Sequence, residues 1–166
     1  MTGLLQQISR SNGGLPKHAV AGPVMLGYDG IEGDRHRNLK YHGGPNKAVL
    51  MISAEWLEEL ALLGYPVIAG SLGENLTVSG FDRGLWRTGQ RYRVGSEAVI
   101  ELTTLRSPCL NLDVYGPSIK NELYDARCKA GDFESPRWAK GGFYARVVRP
   151  GLLNTGMPIE LEWDLA

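Results

Sequence analysis

Apolar runs in this chain are short, and nearly every one is closed by a glycine or a proline. Residues 4–8, 20–28, 47–52, 75–78, 91–94, 99–105, 143–149 and 159–163 have strand character. In 99–105 and 159–163 apolar and polar side chains alternate, as on a half-buried strand. Between them lie turn signals such as Asn12-Gly13-Gly14, Asp29-Gly30, Ser79-Gly80 and Pro150-Gly151. Two segments read as helices. Residues 54–63 follow Ser53 as a cap and stop at Gly64, with Trp56, Leu57, Leu60 and Leu63 near one stripe. Residues 118–126 follow Gly116-Pro117, with Ile119 and Leu123 one turn apart. The pattern predicts a mainly β chain, a small closed or partly closed β-barrel with two or three short helices. A length of 166 residues predicts a single domain over 1–166, large enough for a core without disulfide staples.

Charge excludes some classes of function. Eighteen basic and eighteen acidic residues cancel, so no overall field attracts nucleic acid, although a local pocket of one sign can still form. No apolar stretch approaches the roughly 20 residues that span a bilayer, and the N-terminus has no signal-peptide pattern. A cytoplasmic protein without a membrane partner is expected. Cys109 and Cys128 make no disulfide framework and no zinc-site spacing. GxGxxG, GxSxG, HExxH and the GK[ST] ending of a phosphate-binding loop are all missing.

Residues 33–46 (GDRHRNLKYHGGPN) are almost devoid of apolar side chains and cannot be core. A long polar loop in a compact domain is commonly functional. Asp34 and His36 share a face if the backbone is extended, with Arg35 and Arg37 opposite. His42 stands beside Gly43 and Gly44, which permit close backbone approach and can offer consecutive N–H groups to an anion; Lys47 follows. The loop is read as an anion site, against the plainer alternative of solvated charges pairing with one another.

Cys109 lies in Leu105-Arg106-Ser107-Pro108-Cys109, just past a predicted strand. Pro108 fixes the preceding backbone and removes a ladder donor, which favours display of the thiol at a strand end. Arg106 nearby favours the thiolate, the form that attacks sulfur or binds a soft metal. Alternatively, Cys109 is one more small buried hydrophobe, as most free cysteines are. Cys128 is read as structural. In Gly70-Ser71-Leu72-Gly73-Glu74-Asn75 the glycines predict a tight turn, from which Glu74 or Asn75 can point into a mouth.

Taken in order, Gly33-Asp34-Arg35-His36, His42-Gly43-Gly44-Pro45-Asn46-Lys47-Ala48-Val49, Gly73-Glu74-Asn75-Leu76, Arg106-Ser107-Pro108-Cys109 and Gly142-Phe143-Tyr144-Ala145-Arg146-Val147 resemble the MOSC family, named for the C-terminal domain of molybdenum cofactor sulfurase. The likeness is to its stand-alone bacterial members of the YiiM type. It implies a MOSC-type β-barrel that binds molybdenum cofactor (molybdopterin), a pterin bearing a phosphate and a dithiolene-held metal. Cys109 matches the family cysteine, a metal ligand in some members and a sulfur carrier in others. Arg35, His36, His42, Gly43, Gly44, Lys47, Asn75 and Arg106 are the residues expected to hold the cofactor. Asn46 stands where the family usually has Asp, so this loop lacks that carboxylate. YiiM-type proteins often carry a further helical segment after the last barrel strand, and none is expected here after residue 163.

Three functions follow. The first is a molybdenum-dependent oxidoreductase in which Cys109 ligates the metal, an N-hydroxylated compound such as a base analogue is reduced, and a separate protein donates electrons. The second is a persulfide carrier or cofactor-handling protein, served by a sulfur donor and without turnover of its own. The third is a binding module for another phosphorylated small molecule.

Overall fold

The computed structural model describes residues 1–36 and 43–163. The strands are β1 (Thr2–Arg10), β2 (His18–Ala19), β3 (Val24–Gly27), β4 (Gly30–Ile31), β5 (Val49–Ser53), β6 (Leu76–Ser79), β7 (Arg91–Val94), β8 (Ala98–Leu105), β9 (Phe143–Arg149), β10 (Gly151–Leu153) and β11 (Pro158–Trp163). The α-helices among the described residues are α1 (Ala54–Leu62), α2 (Ile119–Leu123) and α3 (Ala126–Lys129). Short 3-10 helices occur at Pro45–Lys47, Arg83–Leu85 and Leu110–Tyr115. No helix of the described residues is long and apolar enough to cross a membrane.

Seven strands close into a barrel in the order β11-β7-β8-β9-β5-β6-β1, with β1 pairing back onto β11. Closure leaves the barrel without a free edge. Within it β5 and β6 run parallel, joined by the crossover that contains α1, and the other neighbours are antiparallel. β2 extends the far end of β1, and β10-β3-β4 forms a separate small sheet.

Period-two alternation builds the interior. Leu5, Val49, Met51, Leu76, Val78, Tyr92, Val94, Ile100, Leu102, Phe143, Ala145, Val147 and Ile159 belong to one apolar cluster, so each barrel strand turns one face inward. Trp86 and Trp138 are buried in the same cluster. β5 is buried at every position. Its Leu50 and Ile52 join a second cluster outside the barrel with Trp56, Leu57 and Leu60 of α1, Ile119 and Leu123 of α2, and Tyr144 of β9. Coverage on both faces explains why this strand reads as an unbroken apolar run.

The local signals behave as their chemistry dictates. The Ser53 hydroxyl accepts the Trp56 N–H at 3.3 Å and caps α1. The expected helix over 118–126 is two helices instead. Tyr124 is extended, and Asp125 caps α3 by accepting the Cys128 N–H at 2.8 Å. Aspartate is a better cap than helix-interior residue, and it restarts the chain here. The turn expected at Pro150-Gly151 leads directly into β10, which pairs with β3.

Candidate functional site

A cavity of about 900 Å3 lies against the outer face of the barrel. Its floor is one cross-strand row, in which Leu50 of β5 opposes Tyr144 of β9, and Tyr144 opposes Thr104 of β8. A register shift between Leu102 and Thr104 brings Thr104 into that row. Leu15, Leu72, Leu105 and Leu110 supply further apolar wall. The charged lining is one-sided: Lys17, Arg35, Lys47, Arg106 and Lys120 line it together with His36, and no carboxylate does among the described residues. In a chain of zero formal net charge this is a local segregation of sign.

Cys109 stands at the end of this row. β8 ends at Leu105, and Cys109 opens the 3-10 helix Leu110–Tyr115 with an extended backbone. Its side chain lines the cavity and is partly exposed. Cys128 is buried elsewhere, its thiol 3.5 Å from the Ser135 hydroxyl, and burial pushes that thiol up.

Arg106 is buried to 3% exposure. Its guanidinium donates to the carbonyls of Leu72 at 2.9 Å and Gly141 at 3.4 Å, which fixes its orientation behind the thiol loop. Beneath it, Glu74 accepts the N–H groups of Gly70 at 2.6 Å and Leu72 at 3.1 Å. Glu74 therefore ties the 70–74 turn and does not line the cavity. Full burial holds its acid above the ordinary range, against the pull of those N–H donors and of Arg106. Burial also raises the Tyr144 phenol, opposed by the Arg106 charge and reinforced by Cys109. The Lys47 ammonium sits 4.9 Å over the Tyr144 ring.

Behind lining residues Lys17, His36 and Asn75 is a polar node. The Asp34 carboxylate accepts from Lys17 Nζ at 2.5 Å, Asn75 Nδ2 at 2.9 Å and the Ser11 N–H at 2.9 Å. His36 Nε2 lies 3.9 Å from the same carboxylate. Burial and the Lys17 charge lower the His36 imidazole, with Asp34 acting the other way.

Of the residues singled out in the sequence, Arg35, His36, Lys47, Asn75, Arg106 and Cys109 all line this one cavity. The Asn75 amide also donates to Ser9 O and accepts from Leu50 N, so its contribution there is to hold the wall. Gly43 and Gly44 do not line it. Gly43 backs the His36 ring, where a Cβ would come within 2.8 Å of Cδ2. His42 lies outside the described residues. Lys17, Lys120 and Tyr144 were not anticipated. Lys17 sits in what reads as a turn, and Tyr144 is one of several apolar positions along a buried strand. The one signal available for Tyr144 was its place within Gly142-Phe143-Tyr144-Ala145-Arg146-Val147.

Fold and site together define a closed β-barrel protein with a thiol at the lip of a cationic lateral pocket. Residues 38–160 match the MOSC domain, and the chain belongs to that family. It is 32% identical over 153 residues to the uncharacterized protein YflK of Bacillus subtilis (strain 168), and 30% identical over 151 residues to protein YiiM of Escherichia coli (strain K12). In each case 89% of this chain is aligned, and the chain spans 62% of the relative's length. Among solved structures, YiiM from Geobacillus stearothermophilus aligns with a TM-score of 0.71 at 26% identity, covering 96% of this chain and 74% of that one. The YUAD protein from Bacillus subtilis aligns with a TM-score of 0.70 at 25% identity, covering 96% and 94%.

Proposed function

We propose that this cavity binds molybdenum cofactor, with Cys109 as a ligand to the metal, and that the protein serves in the reduction of N-hydroxylated compounds such as base analogues. The observation that carries this is the pairing of a partly exposed thiol with five Lys or Arg side chains and, among the described residues, no carboxylate on one cavity lining. Small-molecule sites run to roughly 300–1,000 Å3, so the volume suits a pterin. The Leu50–Tyr144–Thr104 floor suits a flat ring, and the cations suit its phosphate. No three His, Cys, Asp or Glu side chains converge to hold a metal among the described residues. A dithiolene-held metal brings sulfur ligands of its own, and Cys109 would offer it one further soft sulfur.

When bound, the cofactor supplies two-electron redox chemistry. The chain supplies the rest: Arg35 and Lys47 meet the anionic end, and buried Arg106 holds positive charge beside the thiol loop. Tyr144, whose phenol form burial favours further, lines the same cavity as Cys109 and would hold a proton there. Reduction of an N–O bond consumes two electrons and two protons and releases water, so an electron-donor protein is the implied partner. Molybdenum and pterin analysis of protein purified from a host that makes the cofactor tests this. Both are expected at near-stoichiometric levels. A persulfide on Cys109 without metal would replace the reading with that of a sulfur carrier.

A further inference from the structure

The cavity wall shows cations, and the carboxylates that face Lys17 and Arg106 lie behind it. Asp34 is one of these. It does not line the cavity, and its side chain is 3% exposed, yet Lys17, Asn75 and the Ser11 N–H all donate to it. The three donors come from the loop after β1 and from the residue just before β6, so the node joins segments distant in sequence. Lys17 and Asn75 both meet Oδ2, and His36 Nε2 faces that same oxygen at 3.9 Å. Lys17 is itself 7% exposed. A buried cation with a carboxylate at 2.5 Å is largely spent on its partner.

We propose that Asp34 is a positioning residue for the anion end of this cavity: from behind the wall it engages Lys17 as an internal counter-ion and seats the His36 imidazole on the lining, so that the Lys17–Asp34 pair sets the charge a phosphate group meets there. Resting on the anion-site reading above, this adds the residue that tunes it. Two consequences separate it from a purely structural role. Removing the Asp34 charge releases Lys17 to the ligand, so an anion binds more tightly although a conserved-shape hydrogen-bond node has been disturbed. The two charges also act on His36 in opposite directions, whereas a loosened wall would admit water and move His36 toward its ordinary value in every variant.

The experiment uses the full chain in four forms: wild type, Asp34→Asn, Lys17→Met and the double variant. Inorganic phosphate is titrated by calorimetry, and the His36 ring is followed by NMR through pH. Asp34→Asn is expected to tighten phosphate binding roughly threefold to tenfold, and Lys17→Met to weaken it by a similar factor. The double variant is expected to return within about twofold of wild type. The His36 imidazole moves down in Asp34→Asn and up in Lys17→Met. Weaker phosphate binding in Asp34→Asn, or His36 shifts of the same sign in both single variants, overturns the proposal. If Asp34→Asn does not fold, Asp34→Ser is read in its place: a downward His36 shift supports the proposal, and an upward or absent one overturns it. A wild type that binds no phosphate instead overturns the anion-site reading, and the opposed His36 shifts still judge the role of Asp34.

Discussion

The inside of the barrel and the cavity on its flank are made from the same strands under opposite rules. Inward-facing Met51, Phe143 and Leu102 are fully buried among apolar neighbours. One residue along, or two across the β8 register shift, outward-facing Leu50, Tyr144 and Thr104 form the floor of a cavity whose charged lining is cationic. The interior satisfies packing alone, and any similar apolar set of the right volume would serve it. The flank depends on a particular set of polar partners, in which carboxylates sit behind cations and cations sit around a thiol. The barrel core and the candidate site thereby lie on opposite faces of β5, β8 and β9.

Variants on the two sides should therefore differ in kind. The largest loss of stability is expected inside. Phe143 is fully buried and packs edge-on against Trp86 and Trp138, and Phe143→Ala should cost about 3–5 kcal/mol in denaturant unfolding. A smaller loss is expected from the layer behind the cavity. Glu74→Ala leaves the Gly70 and Leu72 N–H groups without their acceptor in a buried turn, at about 1–3 kcal/mol. Glu74 also carries a pH signature. Burial raises its acid in the folded protein above the ordinary value of 4.5. Its protonated form is therefore favoured by folding, so its contribution is greatest below that value and is lost as pH rises through the folded one. Melting temperature followed upward from about pH 4 should show a decline in the wild type that is absent in Glu74→Gln.

The fold was more legible in the sequence than the site. β7 and β9 fall on the residues their apolar pattern marks, and Ser53 caps α1 as its position before the apolar stripe requires. Two-residue strands such as β2 and β4 have too few positions for a period to register. The 118–126 segment misled because Ile119 and Leu123 are helical in spacing, while Asp125 gains more by capping than by continuing. For the site, the polar 33–46 loop and the Pro108-Cys109 pair stood out because they are incompatible with core or strand. Lys17 did not, because its meaning depends on a carboxylate seventeen positions away that only the folded chain brings to it. Asp34 and His36 were expected to share a face, and they do flank one another, but nothing local marked Asn75 as the amide that braces them.

The separation of the two faces is tested at Cys109 itself. Its thiol is partly exposed on the cavity lining, so Cys109→Ser removes little packing and replaces a soft sulfur with a hard hydroxyl. Protein made in a host competent in cofactor synthesis should be compared with this variant for molybdenum content and thermal melting side by side. The expected result is loss of most of the molybdenum, with the melting temperature of the metal-free forms unchanged within about 2 °C. A large fall in melting temperature with molybdenum content unchanged would contradict it, and would show Cys109 to be part of the packing and not of the site.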